Sequence, residues 1–472
     1  MTSAHTSPFA GSWYPERRAD LQALLGSLFD SSVQRTGPSL LPRPLAFVVP
    51  HAGLAYSGTV AASAYRYLEA AKPERVFILG FRHRGDRDGV SIPDIDAFRT
   101  PMGELQVDRA AIHELASAAP FTMAVESRVC DHSVEIQLPL VQKSAPGATV
   151  VPLYVGNLDD AQRQAAATAL AGQIQPGDIL LASSDLTHYG RNFGYEPFPA
   201  SRDTAWRLAQ LDTSVMDAAG SLDPALFLAT LRELESTACG YDPIALLLAT
   251  LGLFGGEEVF QETLDYQTSA ELTGDFRHSV SYGALGYFRA DSFQLDDGAA
   301  HALLESARAT LAHLSTTGER KAIPPPGGHP MLTRRAMAFV SLHQGDELFG
   351  CVGSRTAHMP LAHAVPSLTL AAALDDPRFQ HGATVPEGLA IEISVLTPMK
   401  RIRDWRAFQI GRHGVLLEHG VRSELLLPQV ARHDLSTAPR FLEALSRKAG
   451  LAPSAYRDPE ARLSVFQAQV LA

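Results

Sequence analysis

Three apolar runs in the first half of the chain each end at a residue able to bind a metal or move a proton. PLAFVVP (44–50) leads into His51 of PHAGLAYSG, RVFILG (75–80) into His83 of GFRHRG, and DILLASSD (178–185) ends on Asp185, with His188 close behind in SSDLTHYG. Ligands of open α/β sheets bind outside the carboxyl ends of the strands. One such histidine would be an ordinary loop residue; three strand ends agreeing point to a site. Two imidazoles and a carboxylate with open positions suit non-haem Fe(II), and zinc or copper accepts the same atoms.

Other residues carry two readings each. Cys239, in STACGYDPIALLLATL, stands by a helix start marked by Asp242 and Pro243. It is either a metal ligand whose thiolate the helix dipole favours or a small buried residue at a helix entrance. CDHSVEIQLPLV (130–141) opens a further helical pattern, with Asp131 or Ser133 as its cap. His132 and Glu135 there, like Tyr56 of PHAGLAYSG, either touch substrate or support the ligands, or else cap the helix and face solvent; Cys130 reads as structural. Cys351, between two glycines, is a thiol that a ligand approaches closely or a small residue in a tight sheet. His413 on the GRHGV turn reads as a surface residue.

The elements that must position these residues alternate. The three runs above, TVVPLYV (149–155) and SYGALGYF (281–288) are separated by helical patterns such as SGTVAASAYRYLEAA and AQRQAAATALAGQI. Continuous apolar strands between helix-length segments imply a mostly parallel sheet covered on both faces, an α/β doubly wound sandwich. Beyond residue 290 a helix (AAHALLESARATLAHL), the loop IPPPGGHP and the strand patterns AMAFVSL, ELFGCVG, AIEISVLTP, FQIGRHGVLLEHG and SELLLPQVA predict an α+β domain with an antiparallel sheet.

Charge divides the chain at the same place. Up to Arg289 there are 21 Lys and Arg against 33 Asp and Glu, and afterwards 19 against 18, so domains 1–290 and 291–472 are expected. With 46% hydrophobic and 19% charged residues the chain has the composition of a globular protein. It has no basic patch interleaved with aromatics, no apolar stretch of spanning length and no signal-peptide pattern at its start. Nucleic acid and membrane are therefore not expected partners, and a soluble, cytoplasmic protein is expected. Three scattered cysteines exclude a disulfide framework and a CxxxCxxC cluster.

AGSWYP (10–15), PHAGLAYSG (50–58), LGFRHRG (79–85), DHSVEIQLP (131–139), SSDLTHYG (183–190) and CGYDPIALLL (239–248) resemble, in order and spacing, the Memo family over about residues 6–288. That resemblance implies the fold of the catalytic subunit of class III extradiol dioxygenases. It implies His51, His83 and Cys239 as central metal ligands, Asp185 as a further ligand or close neighbour, and His188 as the acid/base histidine. Two features depart from the pattern. GFRHR stands for the usual GPSHH, bringing Phe81 and Arg82 to the pocket mouth, and Cys239 stands where ring-cleaving dioxygenases present a glutamate.

LFGCVG (348–353), LTLAAALDDPRF (368–379), ISVLTP (393–398), HGVLLE (413–418) and LLPQVA (426–431) resemble the AMMECR family over about residues 298–470, with Phe349 where an arginine is usual. The two units in one chain resemble the bacterial AmmeMemoRadiSam system, whose third member is a separate radical SAM protein. The expected function is a metal-dependent redox enzyme acting on a small-molecule or peptide substrate, with His188 and Asp185 catalytic. The alternatives are a protein-binding adaptor that reuses the fold and, third, a metal hydrolase.

Overall fold

The apolar runs that end in His51, His83 and Asp185 become neighbouring strands. The computed structural model describes residues 3–38, 40–84, 88–255, 258–345, 347–378, 385–386, 388–432 and 435–472. Gly85 of LGFRHRG and Phe379 of LTLAAALDDPRF lie outside them. The chain forms two compact units, residues 1–36 with 42–289, and 290–472 with 37–41.

The first unit has strands β1 (Ala4–Thr6), β2 (Pro44–Val49), β3 (Arg75–Gly80), β4 (Val90–Pro93), β5 (Ala97–Thr100), β6 (Gly103–Gln106), β7 (Phe121–Ala124), β8 (Thr149–Val155), β9 (Ile179–Ser183), β10 (His188–Tyr189), β11 (Val259–Thr268) and β12 (Ser279–Arg289). Nine of them form one sheet in the order β10-β12-β2-β9-β3-β8-β4-β7, with β11 on β12; β1, β5 and β6 form a small second sheet. The central β2, β9, β3 and β8 are mutually parallel, and Val49 lies opposite Ser183 while Leu79 lies opposite Ala182. The carboxyl ends of β2, β9 and β3 are therefore side by side.

The sheet is mixed rather than mostly parallel. β12, the SYGALGYF strand, runs antiparallel to β2, and β11 antiparallel to β12. Only the helix Ser269–Thr273 and a short turn join β11 to β12, too little chain for a parallel crossover. Burial explains the apolar runs: the helix Leu54–Ala71 packs on β2 and β12, and the helix Tyr241–Leu253 on β9, β3 and β8. Phe47, Val48, Ile78, Leu79 and Leu181 are completely enclosed.

The second unit has β13 (Ala338–Gln344), β14 (Glu347–Gly353), β15 (Ala390–Leu396), β16 (Lys400–Ile402), β17 (Gly414–His419), β18 (Arg422–Leu426), β19 (Arg462–Phe466) and β20 (Ala468–Leu471). They make two antiparallel sheets, β14-β13-β15-β20 and β16-β19-β17-β18, where one was expected. β16 and β20 are too short to stand out as apolar runs. The helices Asp297–Thr317 and Leu361–Leu374 share a core with β13–β15, and the helix Ala438–Lys448 one with β17 and β19.

Two residues of this unit differ from expectation. Phe349, in the position of the usual arginine, is buried in the first of these cores, so its side chain serves packing. His413 is buried, not on the surface, and its Nδ1 accepts the amide of Gln409 across the turn it closes. Among the described residues, no helix is long and apolar enough to cross a membrane.

Candidate metal centre

His51 leaves β2 at 2% exposure, and its protonation is set by a chain of buried groups behind it. Its Nδ1 lies 3.0 Å from the Ser183 hydroxyl. That hydroxyl has one proton, which it donates to the Ser133 carbonyl, and it also accepts an amide proton from Gln137. Toward His51 it is therefore an acceptor, Nδ1 carries the hydrogen, and the lone pair is on Nε2. Gln137 is fixed in turn: its second amide proton goes to the Pro50 carbonyl, and its oxygen accepts from the Tyr65 hydroxyl. Burial, reinforced by the charge of His83, pushes the His51 imidazole down to about 3, so it is neutral at ordinary pH.

Two groups of donors meet at this imidazole. His51, Asp185 and Cys239 offer atoms within 4.8 Å of one another, and so do His51, His83 and His132. The Cys239 sulfur is 3.2 Å from His51 Nε2. Asp185 accepts the amides of His51 and Ala52 through Oδ1, which ties the end of β9 to the end of β2. Burial raises the Asp185 carboxyl above its usual range. Burial and the Asp185 charge also push the Cys239 thiol up. Both act against the pull of the helix start on this thiol.

Cys239 is brought this close by Gly240, whose Cβ, if it had one, would lie 2.4 Å from the Ser183 carbonyl oxygen and 2.6 Å from Ser184 Cβ. Gly80 plays the same part at the end of β3, where a Cβ would meet Ser133 Oγ and Val134 Cγ2 at 2.6 Å. Ser133 then clasps the turn, accepting the Phe81 amide at 3.0 Å and donating to the Phe81 carbonyl at 2.6 Å.

Asp131 orients the second group. It caps the helix His132–Glu135 through the Ser133 amide, and its Oδ1 lies 2.8 Å from His83 Nδ1. Burial would raise this carboxyl, but the imidazoles of His83 and His132 outweigh it and hold Asp131 well below the usual carboxylate range. An ionised Asp131 makes His83 Nδ1 the donor and leaves the lone pair on Nε2. His132, also brought down to about 3 by burial, stacks on His83 with ring centroids 3.9 Å apart. Phe81 lies tilted against His83 with centroids 4.1 Å apart, and Trp13 against His132 at 4.4 Å.

His188 lies outside both groups, though its charge acts on His51 and on Asp185. Its Nδ1 is 3.1 Å from the carbonyls of Leu186 and Thr237, so Nδ1 is protonated and Nε2 is the nitrogen that exchanges protons. Thr237 and His188 hold each other through reciprocal hydrogen bonds. Glu135 is fully buried beside His5 and takes no part around His51. Tyr56 is 49% exposed. Cys351 is in the second unit, where Ser341 donates to its sulfur and its amide donates to Asp376. Ser183, Gln137 and the pairing of Asp131 with His83 were not anticipated; a cap at Asp131 was the one available signal.

A model of the Memo family, described as Memo-like protein, matches residues 6–286, and that of AMMECR1 matches residues 304–471. Protein memo-1 homolog of Caenorhabditis elegans is 33% identical over 284 residues, 58% of this chain and 80% of that protein. Protein MEMO1 of Homo sapiens is 30% identical over 285 residues, 58% of this chain and 94% of its own. Among solved structures, uncharacterized protein PH0010 from Pyrococcus horikoshii aligns with a TM-score of 0.33 and 32% identity, over 36% of this chain and 88% of that one. Uncharacterized protein JW3007 from Escherichia coli K12 aligns with a TM-score of 0.35 and 15% identity, over 52% and 99%.

Proposed function

This chain belongs to the Memo family and carries an AMMECR1 domain in the same polypeptide, and from that premise we propose that its first unit is a metal-dependent redox enzyme with non-haem iron at His51. The observation that carries the reading is the locked tautomer. Ser183 and Gln137 hold the His51 lone pair on Nε2, toward Cys239, in a pocket where the imidazole is neutral. A neutral, oriented imidazole backed by a buried hydrogen bond is what a metal ligand requires.

The donors fit an iron. Cys239 and Asp185 would become anionic donors beside His51 on losing their protons to a metal, His83 and His132 offer imidazoles, and Asp131 orients His83 as Ser183 orients His51. A bound iron would supply Lewis acidity and electron transfer, which none of these side chains has. The protein's own part is to orient the imidazoles, to exclude water with the Phe81 and Trp13 rings, and to hold a proton on His188. His188 presents Nε2 as the exchanging nitrogen because Leu186 and Thr237 occupy Nδ1.

Oxygen uptake by Fe(II)-loaded protein tests the reading. The wild type should consume O2, and His188→Ala should keep the metal and slow uptake by about 10²–10⁴-fold. A metal-loaded wild type that consumes none, or a variant as fast as the wild type, contradicts it.

A further inference from the structure

A second set of metal-type donors lies apart from His51. His5 on β1, Cys130 at the end of the helix Glu126–Val129 and Glu135 in the helix His132–Glu135 each offer an atom within 4.8 Å of the other two. Glu135 is fully buried. One of its oxygens is 3.2 Å from His5 Nε2; the other, Oε2, is buried with no hydrogen-bonding partner among the described residues. Leaving a carboxylate oxygen unmet inside a protein is costly, and a lone imidazolium on the other oxygen does not repair it. Glu126 stands 3.8 Å from His5 Nδ1, on the side away from Glu135, which assigns Nε2 to the interior.

We propose that His5 Nε2, Cys130 Sγ and the Glu135 carboxylate form a second metal site, for a divalent cation of the zinc class. One imidazole, one thiolate and one carboxylate match the nitrogen, sulfur and oxygen ligands that zinc takes, with a fourth position left to water. Binding releases the Cys130 proton, and the Nε2 proton of any protonated His5, to solvent, with no change of oxidation state. The site ties β1 to the segment carrying Asp131 and His132. A single four-residue helix thereby serves two centres, His132 toward His51 and Glu135 toward His5. The two donor sets share no residue, so this site stands or falls separately from the one at His51.

Anaerobic Co(II) titration of the chelator-stripped full-length chain decides, because cobalt bound to thiolate absorbs in the near ultraviolet. In Cys239→Ser/Cys351→Ser the remaining thiol is Cys130, and this variant should still bind Co(II) with a thiolate band. Adding His5→Ala or Glu135→Gln should abolish the band. In the otherwise unchanged chain, His5→Ala should lower the stoichiometry from two ions to one, which gives an answer even if the double variant does not fold. No thiolate band in the folded double variant, or an unchanged stoichiometry in His5→Ala, overturns the site.

Discussion

The atom that decides whether His51 can hold a metal is a hydrogen on its far side. Ser183 has one proton to give and spends it on the Ser133 carbonyl, so His51 and Gln137 must both donate to it. Ser183→Ala removes that acceptor and frees the tautomer. Metal affinity, read by competition with a chelator, should fall about 10–100-fold while the fold is kept; unchanged affinity would show that the tautomer is set elsewhere. His51, His83 and Asp185 were legible in the sequence because each directly follows an apolar strand. Ser183 was not, since a serine ending an apolar run shows no sign of its partners, and Gln137 at the start of a helical pattern shows none either, although it is fully buried. Asp131 was read for its cap alone; that it also holds His83 depends on the turn after β3, which only the fold places against it.

The centre depends on close approach between elements, and glycine permits it. Gly240→Ala would set a methyl group against the Ser183 carbonyl and Ser184, forcing the start of the helix Tyr241–Leu253 away from β9. The cost should be about 1–3 kcal/mol, seen as a lower melting temperature together with weaker metal binding; an unchanged melting temperature would refute the tight contact. In the second unit, Asp376 fastens β14 by accepting the amide of Cys351 and the guanidinium of Arg378. Burial would raise its carboxyl, but these bonds hold it at about 2, below its ordinary 3.8. A carboxyl depressed on folding stabilises above its unfolded value, and the contribution is lost as the pH falls from about 3.8 through 2. Asp376→Asn should therefore cost about 1–2 kcal/mol at pH 7, and its denaturation midpoint should approach that of the wild type near pH 2. A difference that does not shrink on acidification would contradict this assignment. The central strands were legible because burial on both faces makes them continuously apolar. β11, VFQETLDYQT, was missed because much of it is only half-buried and its pattern is polar. Direction was not legible either: nothing in SYGALGYF itself says that β12 runs against β2.

On the scale of the whole molecule, each unit encloses its own core, and every donor proposed for a metal lies in the first. Membership of the Memo family and the match to AMMECR1 were readable from motifs; those of the first unit cluster where strands end and helices begin, while those of the second lie largely within its strands and the helix Leu361–Leu374. The second unit departs from its pattern at Phe349, and its core accounts for that residue. The central claim is that His51 anchors a metal, and metal content tests it most directly. Full-length wild type and His51→Ala, stripped, reconstituted anaerobically with Fe(II) and desalted, should differ by one ion per chain, with equal folding by circular dichroism. Equal metal content in the two proteins would contradict the account.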